Sequence, residues 1–481
     1  MSDLVEAVHQ KRRGLDGELR EAFLRTHDMK DPPFRFPRVF QAGESIGELL
    51  LKPLHSFLSL QFSGGLLILC LTAVALYLAN SSFGDAYESL WRTPLSVGAY
   101  GSTLAKPLHF WINEGLMTLF FFVVGLEIKR EILIGELASF SKAALPLAAA
   151  VGGMVVPAGI YYLLNPDGIT ARGWAIPMAT DIAFSIGVLT LLGSRVPRSL
   201  AVFLAALAIV DDLGAVAVIA IFYTAQISIL HLQITAGLLL VLVIINVLGY
   251  RQPMLYVVLG FLVWLEISLS GIHSTVAGIL VALTIPARSK CDTDEFLTSA
   301  RSVLDKFACA DECGFSVYTD REHQEAIRRM KRLCRAVEPP LLSIEHVLTP
   351  WVVFGIVPLF ALANAGVPLA ADAFLKAFAS PSPLGVFLGL VVGKQLGVFS
   401  ASWLAVRIGL AELPEGVSWS QLYGCAVLCG IGFTMSIFIA DLAFAGTPFL
   451  EPAKLGILSA SAASLSLGLT ILLLVRQGQR G

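Results

Sequence analysis

Charge is scarce in this sequence. Only 15% of its 481 residues are Asp, Glu, Lys or Arg, and 56% are hydrophobic; soluble domains carry about 25% charged residues. With a mean hydropathy of +0.75, the chain reads as an all-α polytopic membrane protein. Net charge is −2, which points to no charged partner, and no nucleic acid is expected. No cleavable signal peptide is expected: residues 1–55 carry nine Lys/Arg against nine Asp/Glu and no apolar core. Cysteine is sparse and odd in number, seven in all, which argues against a disulfide framework. Cys309 and Cys313 have the wrong spacing for a zinc knuckle, and no matching His pair follows. No resident cofactor is expected.

What the chain has is long apolar runs. About twelve spans are expected, near residues 60–79, 108–134, 143–164, 170–192, 198–224, 230–249, 253–268, 272–286, 344–366, 384–408, 421–443 and 453–476. If both termini are cytoplasmic, 28 Lys/Arg fall on their side of the membrane. Only Arg92, Lys106, Arg172, Lys376 and Lys454 fall outside. The positive-inside rule selects that orientation. The domains read as a polar extension (1–55), a transmembrane domain (56–476) and a short tail (477–481). The extension has a helix expected from Asp3 to His27. Within the transmembrane domain, the external segment 80–108 has the composition of a hairpin. The cytoplasmic loop 288–341 includes the basic amphipathic stretch EAIRRMKRLCRAVE. Such a stretch is either a solvated helix beside an anionic leaflet or a regulatory element.

Against this background a few charges stand out. Asp181 is alone between Gly173 and Ser194, Asp211 and Asp212 are alone between Ala201 and Thr224, and Lys394 is alone in PLGVFLGLVVGKQLGVFSASWLAV. A carboxylate at mid-membrane costs ~2.5–3.5 kcal/mol on insertion scales and usually marks an ion or proton path. Two of the spans are also interrupted. The fourth contains Pro177, four residues before Asp181, and the eleventh contains Gly430 and Gly432 in CGIGFTMS. Proline removes a backbone donor and clashes with the preceding turn. Either interruption alone could be a simple kink. Together, at matching places in two halves, they point to a transporter site built from half-helices.

Two crossing broken helices bring like dipole ends together. The positive N-terminal ends call for an anion, which Asp181 can supply, and the negative C-terminal ends for a cation, which Lys394 can supply. Asp181 is thus either structural or a direct ligand. Asp211 and Asp212 point about 100° apart on a helix, so one can face a cavity while the other meets a partner. Two adjacent carboxylates in a low dielectric cannot both ionise cheaply, which makes them proton carriers. Deprotonated, they are hard oxygen ligands for a small cation. Protons and cation then compete for the same oxygens. Charge balance suggests about two protons per monovalent cation, an exchange that moves net charge.

At these residues the chain resembles the NhaA-type sodium/proton antiporters. The shared motifs are ATDIAF (179–184), SRVP (194–197), AIVDDLGA (208–215), GLEIKRE (125–131), SGIHST (270–275), PLFALANAGV (358–367), GKQLG (393–397) and CGIGFTMSIFIA (429–440). They occur in order across roughly residues 55–476. The resemblance implies an inverted repeat of spans 3–5 and 10–12, with broken, crossing spans 4 and 11, the architecture that NhaA exemplifies. It implies sodium, and lithium with it, bound at Asp211 and Asp212, with Asp181 and Thr180 nearby and Lys394 in the assembly. It further implies activation by rising pH, with Glu127, Arg130, Glu131, Glu345, His346 and His273 at pH-response positions. A homodimer joined partly by the external hairpin, in a bacterial inner membrane, completes the expectation. Leu342-Ser343-Ile344 and Thr349 depart from the family pattern around Glu345-His346, which leaves the pH set-point open. Two other classes fit part of the pattern: an intramembrane aspartyl hydrolase using Asp181 and Asp212, and a cation-coupled solute symporter.

Overall fold

A computed structural model describes residues 46–99, 102–224, 227–287, 293–311, 321–369 and 377–475. The helix expected at Asp3–His27, the Cys309 and Cys313 side chains and the C-terminal tail lie outside the described residues. Residues from Ser56 onward form one compact unit, and Met1–His55 is a unit of its own.

Backbone polar groups have no water to bond to in hydrocarbon, so apolar runs satisfy them internally as helices. Every expected span has a helical counterpart. In chain order these begin with α1 (Ile46–Ala79), α2 (Gly84–Arg92) and, after a β-hairpin, α3 (Met117–Leu133). α4 (Phe140–Leu164) is followed by a 3-10 helix (Thr170–Met178), α5 (Ile182–Leu191), α6 (Arg198–Phe222), α7 (Ile229–Val247), α8 (Pro253–Ser270) and α9 (Thr275–Thr284). Then come α10 (Thr293–Asp311), α11 (Arg321–Val337), α12 (Pro340–Trp351) and α13 (Val357–Asn364). The series ends with α14 (Pro381–Leu388), α15 (Lys394–Arg407), α16 (Trp419–Leu428), α17 (Phe433–Phe444) and α18 (Leu450–Leu474).

Among the described residues, eight helices are long and apolar enough to cross a membrane, or ten if each of two bent pairs is one span. The second expected span falls short because its regular part, α3, is 17 residues long and carries Glu127, Lys129, Arg130 and Glu131. The eighth falls short because α9 has only 10 residues. Length and composition therefore do not set the number at twelve.

The expected hairpin is present: Pro94–Ala99 pairs antiparallel with Ser102–Pro107, with Val97 opposite Leu104. It is preceded by an unexpected helix, α2, at 112° to the Ser63–Ala79 part of α1. Tyr87 of α2 donates its hydroxyl to Leu362 O at 2.6 Å, which fastens this segment to α13. In the 288–341 loop, the basic stretch is helical as expected, in α11 up to Val337, and α10 packs against that helix.

Packing sorts the helices from centre to rim. In its most apolar stretch, Thr170–Leu191 is 72% buried and Ile229–Val247 only 11%. The first therefore forms the core, and the second presents its side chains to lipid. α4 and α15, the leading spans of the two repeats, lie backbone to backbone. A Cβ on Gly152 would come 2.3 Å from Gly397 O, and one on Gly397 would come 2.1 Å from Gly152 O. Small residues at such a contact let membrane helices gain dispersion energy where no hydrophobic effect operates between them. The π-helical turn Gly389–Gly393 sits immediately before Lys394. The extra residue per turn rotates everything after it, a device common at functional sites.

Candidate functional site

Both expected breaks are present and they touch. The fourth span runs as the 3-10 helix to Met178, becomes extended at Ala179 and Asp181, and restarts as α5. Pro177 is the last residue but one of the first half. In the eleventh span, α16 and α17 are separated by Cys429–Gly432 and bent by 44°. A Cβ on Gly430 would stand 2.6 Å from Leu390 O, so a side chain there would drive the broken strand off its neighbour. Asp181 N donates to Ile431 O at 2.8 Å. Thr180 Oγ1 reaches Cys429 O at 3.1 Å, Ser185 Oγ donates to Leu428 O at 3.2 Å and Ser436 Oγ to Ile176 O at 2.8 Å. The two interruptions thus satisfy each other's backbone, as buried irregular chain must.

Asp181 lies at the crossing, 2% exposed. Its Oδ1 accepts from Phe184 N at 3.0 Å, and its Oδ2 accepts from Thr434 N at 3.2 Å and from the Thr434 hydroxyl. One carboxylate therefore caps the N-terminal ends of both second halves, α5 and α17, each carrying roughly half a positive charge. Loss of one such cap costs about 0.5–2 kcal/mol. Asp181→Ala is expected to lower the melting temperature in detergent more than Asp181→Asn, which keeps an acceptor oxygen. Equal losses would count against the capping account.

Lys394 was expected to serve both C-terminal ends and serves only one. Its Nζ, fully buried, donates to Met178 O and to Asp211 Oδ2. The other C-terminal end, at Leu428 and Cys429, is met by the hydroxyls of Ser185 and Thr180. Hydroxyls suffice there because only carbonyl dipoles need satisfying, and the single ammonium is drawn to the one carboxylate in reach.

The adjacent aspartates split as their helical angle requires. Asp211 turns to Lys394, and its Oδ2 also accepts from Thr180 Oγ1 at 2.8 Å. Thr180 has one hydroxyl hydrogen, so it donates to Asp211 or to Cys429 O, not to both. Asp212 instead lines a cavity of about 50 Å³ with Glu127, Asp181, Thr349 and Thr434. Asp211 Oδ1 and Asp212 Oδ2 are buried with no hydrogen-bond partner among the described residues. Leaving a charged group so costs several kcal/mol. With Asp181 offset by two dipole ends and Asp211 by Lys394, Asp212 is left without a compensating partner among the described residues, and Glu127 adds a further carboxylate to the same cavity. Two open carboxylate oxygens and surplus negative charge suit a small hard monovalent cation, or protons.

Against known proteins, a family model described as Na+/H+ antiporter 1 matches residues 55–472. The chain belongs to that family. It is 49% identical to the Na(+)/H(+) antiporter NhaA of Oleidesulfovibrio alaskensis over 412 residues, 86% of this chain and 91% of that protein. It is 46% identical to the NhaA of Koribacter versatilis, over 86% of this chain and 90% of that one. It is 42% identical to NhaA 2 of Sorangium cellulosum, over 93% and 94% respectively. An antiporter of this family is a multi-pass membrane transporter and not an enzyme, so the hydrolase reading falls. The geometry agrees: both Asp181 oxygens accept from the two helix ends, and no hydrogen bond joins Asp181 to Asp212.

The antiporter's remaining candidate residues do not form one cluster. Glu127 borders the cavity. Arg130 bonds Glu345 at 2.7 Å and Glu131 at 3.2 Å, and Glu127 lies one turn before Arg130 and Glu131 on α3, so these four stand together at one end of the bundle. His346 points elsewhere, with its side chain 71% exposed and 3.9 Å from Glu338. His273 lies at the opposite end, bonded to Tyr223 O at 2.9 Å and 3.5 Å from Glu114, the setting of a well-satisfied packing histidine.

Several participants escaped the sequence reading. Thr434, which holds Asp181, was legible as the residue just past a break. Asp441, in the apolar run IFIADLAF, is 8% exposed, and Lys454 is 5% exposed. Lys454 was expected in an external segment; it is buried in α18, 3.7 Å from Asp441. The pairing hides it, because a lysine beside a partner tolerates burial that a solitary one does not.

Proposed function

We propose that this antiporter exchanges sodium for protons at Asp211 and Asp212. The observation carrying the reading is Asp212, a buried carboxylate with an open oxygen, lining a small cavity shared with Glu127. A proton on Asp212 neutralises the surplus charge, and so does a sodium ion coordinated by the open oxygens of both aspartates. Because either ion satisfies the site and the two cannot do so together, release of one admits the other. Thr180, within hydrogen-bond reach of Asp211, adds a third oxygen. Lithium fits the same hard donors. The cavity is too small for an organic solute, which disfavours symport.

When Asp211 parts from Lys394, it and Asp212 together take two protons where the loaded site takes one monovalent cation, so about two protons move per cation and net charge crosses the membrane. Rising pH frees the oxygens of competing protons, which gives activation in alkaline medium. Glu127, Arg130, Glu131 and Glu345 stand between the site and one face and are the groups to sense it. Lys/Arg placement makes that face, and both termini, cytoplasmic. The protein works in a bacterial inner membrane as a homodimer, in which the hairpin Pro94–Pro107 supplies part of the contact.

In everted vesicles, added sodium should dissipate a preformed pH gradient, faster when an imposed potential favours the net charge movement. A rate indifferent to potential would remove the unequal stoichiometry. No response to sodium or lithium at any pH would remove the exchange itself.

A further inference from the structure

A second buried polar cluster lies at the end of the bundle opposite Glu127. Asn113 is 14 residues before Glu127 along the second span, about 21 Å by helical rise, and Asp441 is seven residues beyond Thr434 on α17, about 10 Å. The Asp211–Asp212 level therefore lies between the two clusters. In the outer one, Asn113 Nδ2 donates to Asp441 Oδ2 at 2.5 Å. Asn364 Nδ2 donates to Asn113 Oδ1 at 2.9 Å. His109 Nε2 is 2.8 Å from Asn364 Oδ1 and 3.5 Å from Asp441 Oδ2. Lys454 Nζ is 3.7 Å from Asp441 Oδ1 and 3.9 Å from Glu451.

The grouping by element is what matters. Asp441 and Lys454 belong to spans eleven and twelve, inside one repeat. His109, Asn113 and Asn364 belong to spans two and nine, outside both repeats. Unlike Asp211 and Asp212, no residue of this cluster leaves a fully buried side-chain atom unpartnered among the described residues. The Asn113–Asp441 hydrogen bond and the His109–Asp441 contact run between the two groups of spans, which makes the cluster a tie. It joins two bundles at the end away from the cavity, and access from alternate sides requires those bundles to rock against each other.

We propose that Asp441 is the outer-gate positioning residue: its contacts with Asn113 and His109 hold spans eleven and twelve against spans two and nine, and must part before a cation reaches Asp211 and Asp212 from that side. The proposal rests on the exchange reading above. Asp441 neither binds the transported ion nor shuttles its proton. It sets how often the site faces outward.

Removing the Asp441 charge deprives Asn113 of a charged acceptor and Lys454 of a counter-ion, which favours the outward-open arrangement. A state populated more often binds with proportionately higher apparent affinity. For D441N, the half-saturating sodium concentration measured from the His109 face in right-side-out vesicles should fall about tenfold, the worth of one charge-assisted hydrogen bond. From the Glu127 face, in everted vesicles, it should not fall. Equal shifts on both faces, no shift, or a rise at the His109 face would overturn the proposal. An independent check is H109C combined with D441C. Oxidation to a verified cross-link should stop exchange, and dithiothreitol should restore it, while the oxidised natural chain runs unaffected. A cross-linked variant that exchanges at its reduced rate would overturn the gate even if D441N fails to fold. Absence of exchange in the natural chain would remove the exchange reading and this proposal with it; exchange without facial asymmetry in D441N removes only the gate.

Discussion

Asp212→Asn is expected to abolish sodium-dependent proton exchange while the protein still inserts and folds. Asparagine matches aspartate in shape, so the packing of α6 against its neighbours survives. Among the described residues the Asp212 side chain makes no hydrogen bond or ion pair that would be lost. What disappears is the uncompensated carboxylate of Asp212. A neutral amide neither accepts a proton at physiological pH nor offers a charged oxygen to sodium. If bound sodium gains two charge-assisted contacts at about 1.5–3 kcal/mol each, losing one or both weakens the site by ~10- to 10,000-fold. Exchange also needs the proton step, so turnover should fall below detection. Vesicle assays of pH-gradient dissipation, alongside size-exclusion profiles and melting temperature, test both halves of the expectation. Normal exchange by Asp212→Asn would show that Asp211 alone carries the ions.

The opposite balance of effects is expected for Lys394→Ala, which should unfold the protein more readily. Lys394 is fully buried and contacts Asp211 and Met178 O at once. Its removal strands a buried carboxylate and a helix-end carbonyl in low dielectric. Breaking such a pair by deleting one partner costs about 3–5 kcal/mol, comparable to a large part of a domain's net stability. Combining Lys394→Ala with Asp211→Asn should recover most of that loss, because the stranded charge goes too. The recovery, read as a double-mutant cycle in thermal melts, distinguishes charge compensation from simple loss of side-chain volume. If the double variant is as unstable as the single one, Lys394 acts through packing.

These two residues show how the levels of information divide. Asp212 and Lys394 were both visible as solitary charges in apolar runs, since each stands out against the cost of burying a charge in lipid. Their difference was not visible. On sequence spacing, Asp211 and Asp212 are interchangeable. Only the rotation of α6, set by its packing, turns Asp211 to Lys394 and Asp212 to the cavity. Asp181 illustrates the same limit: the break after Pro177 and the crossing it implied were legible, but the two helix ends it caps meet only in space.

The burial of Asp441 and Lys454 is not legible in the sequence, because each alone is costly in lipid and only their pairing in space permits it. The candidates around Glu345 separated for a related reason. Neighbours on a helix face different ways, so Glu345 meets Arg130 while His346 meets water.

The sequence by itself determined that this is a multi-pass helical membrane protein, where two of its spans break, and that Asp181, Asp211, Asp212 and Lys394 lie at depth. Hydropathy, proline and glycine act locally and leave their mark in the order of residues. Only the tertiary structure decided which carboxylate is compensated and which remains open, which end of the bundle is tied shut, and which histidines stand apart. Those outcomes depend on groups hundreds of residues apart approaching within a few ångströms, where electrostatic energy in a low dielectric is settled by distance.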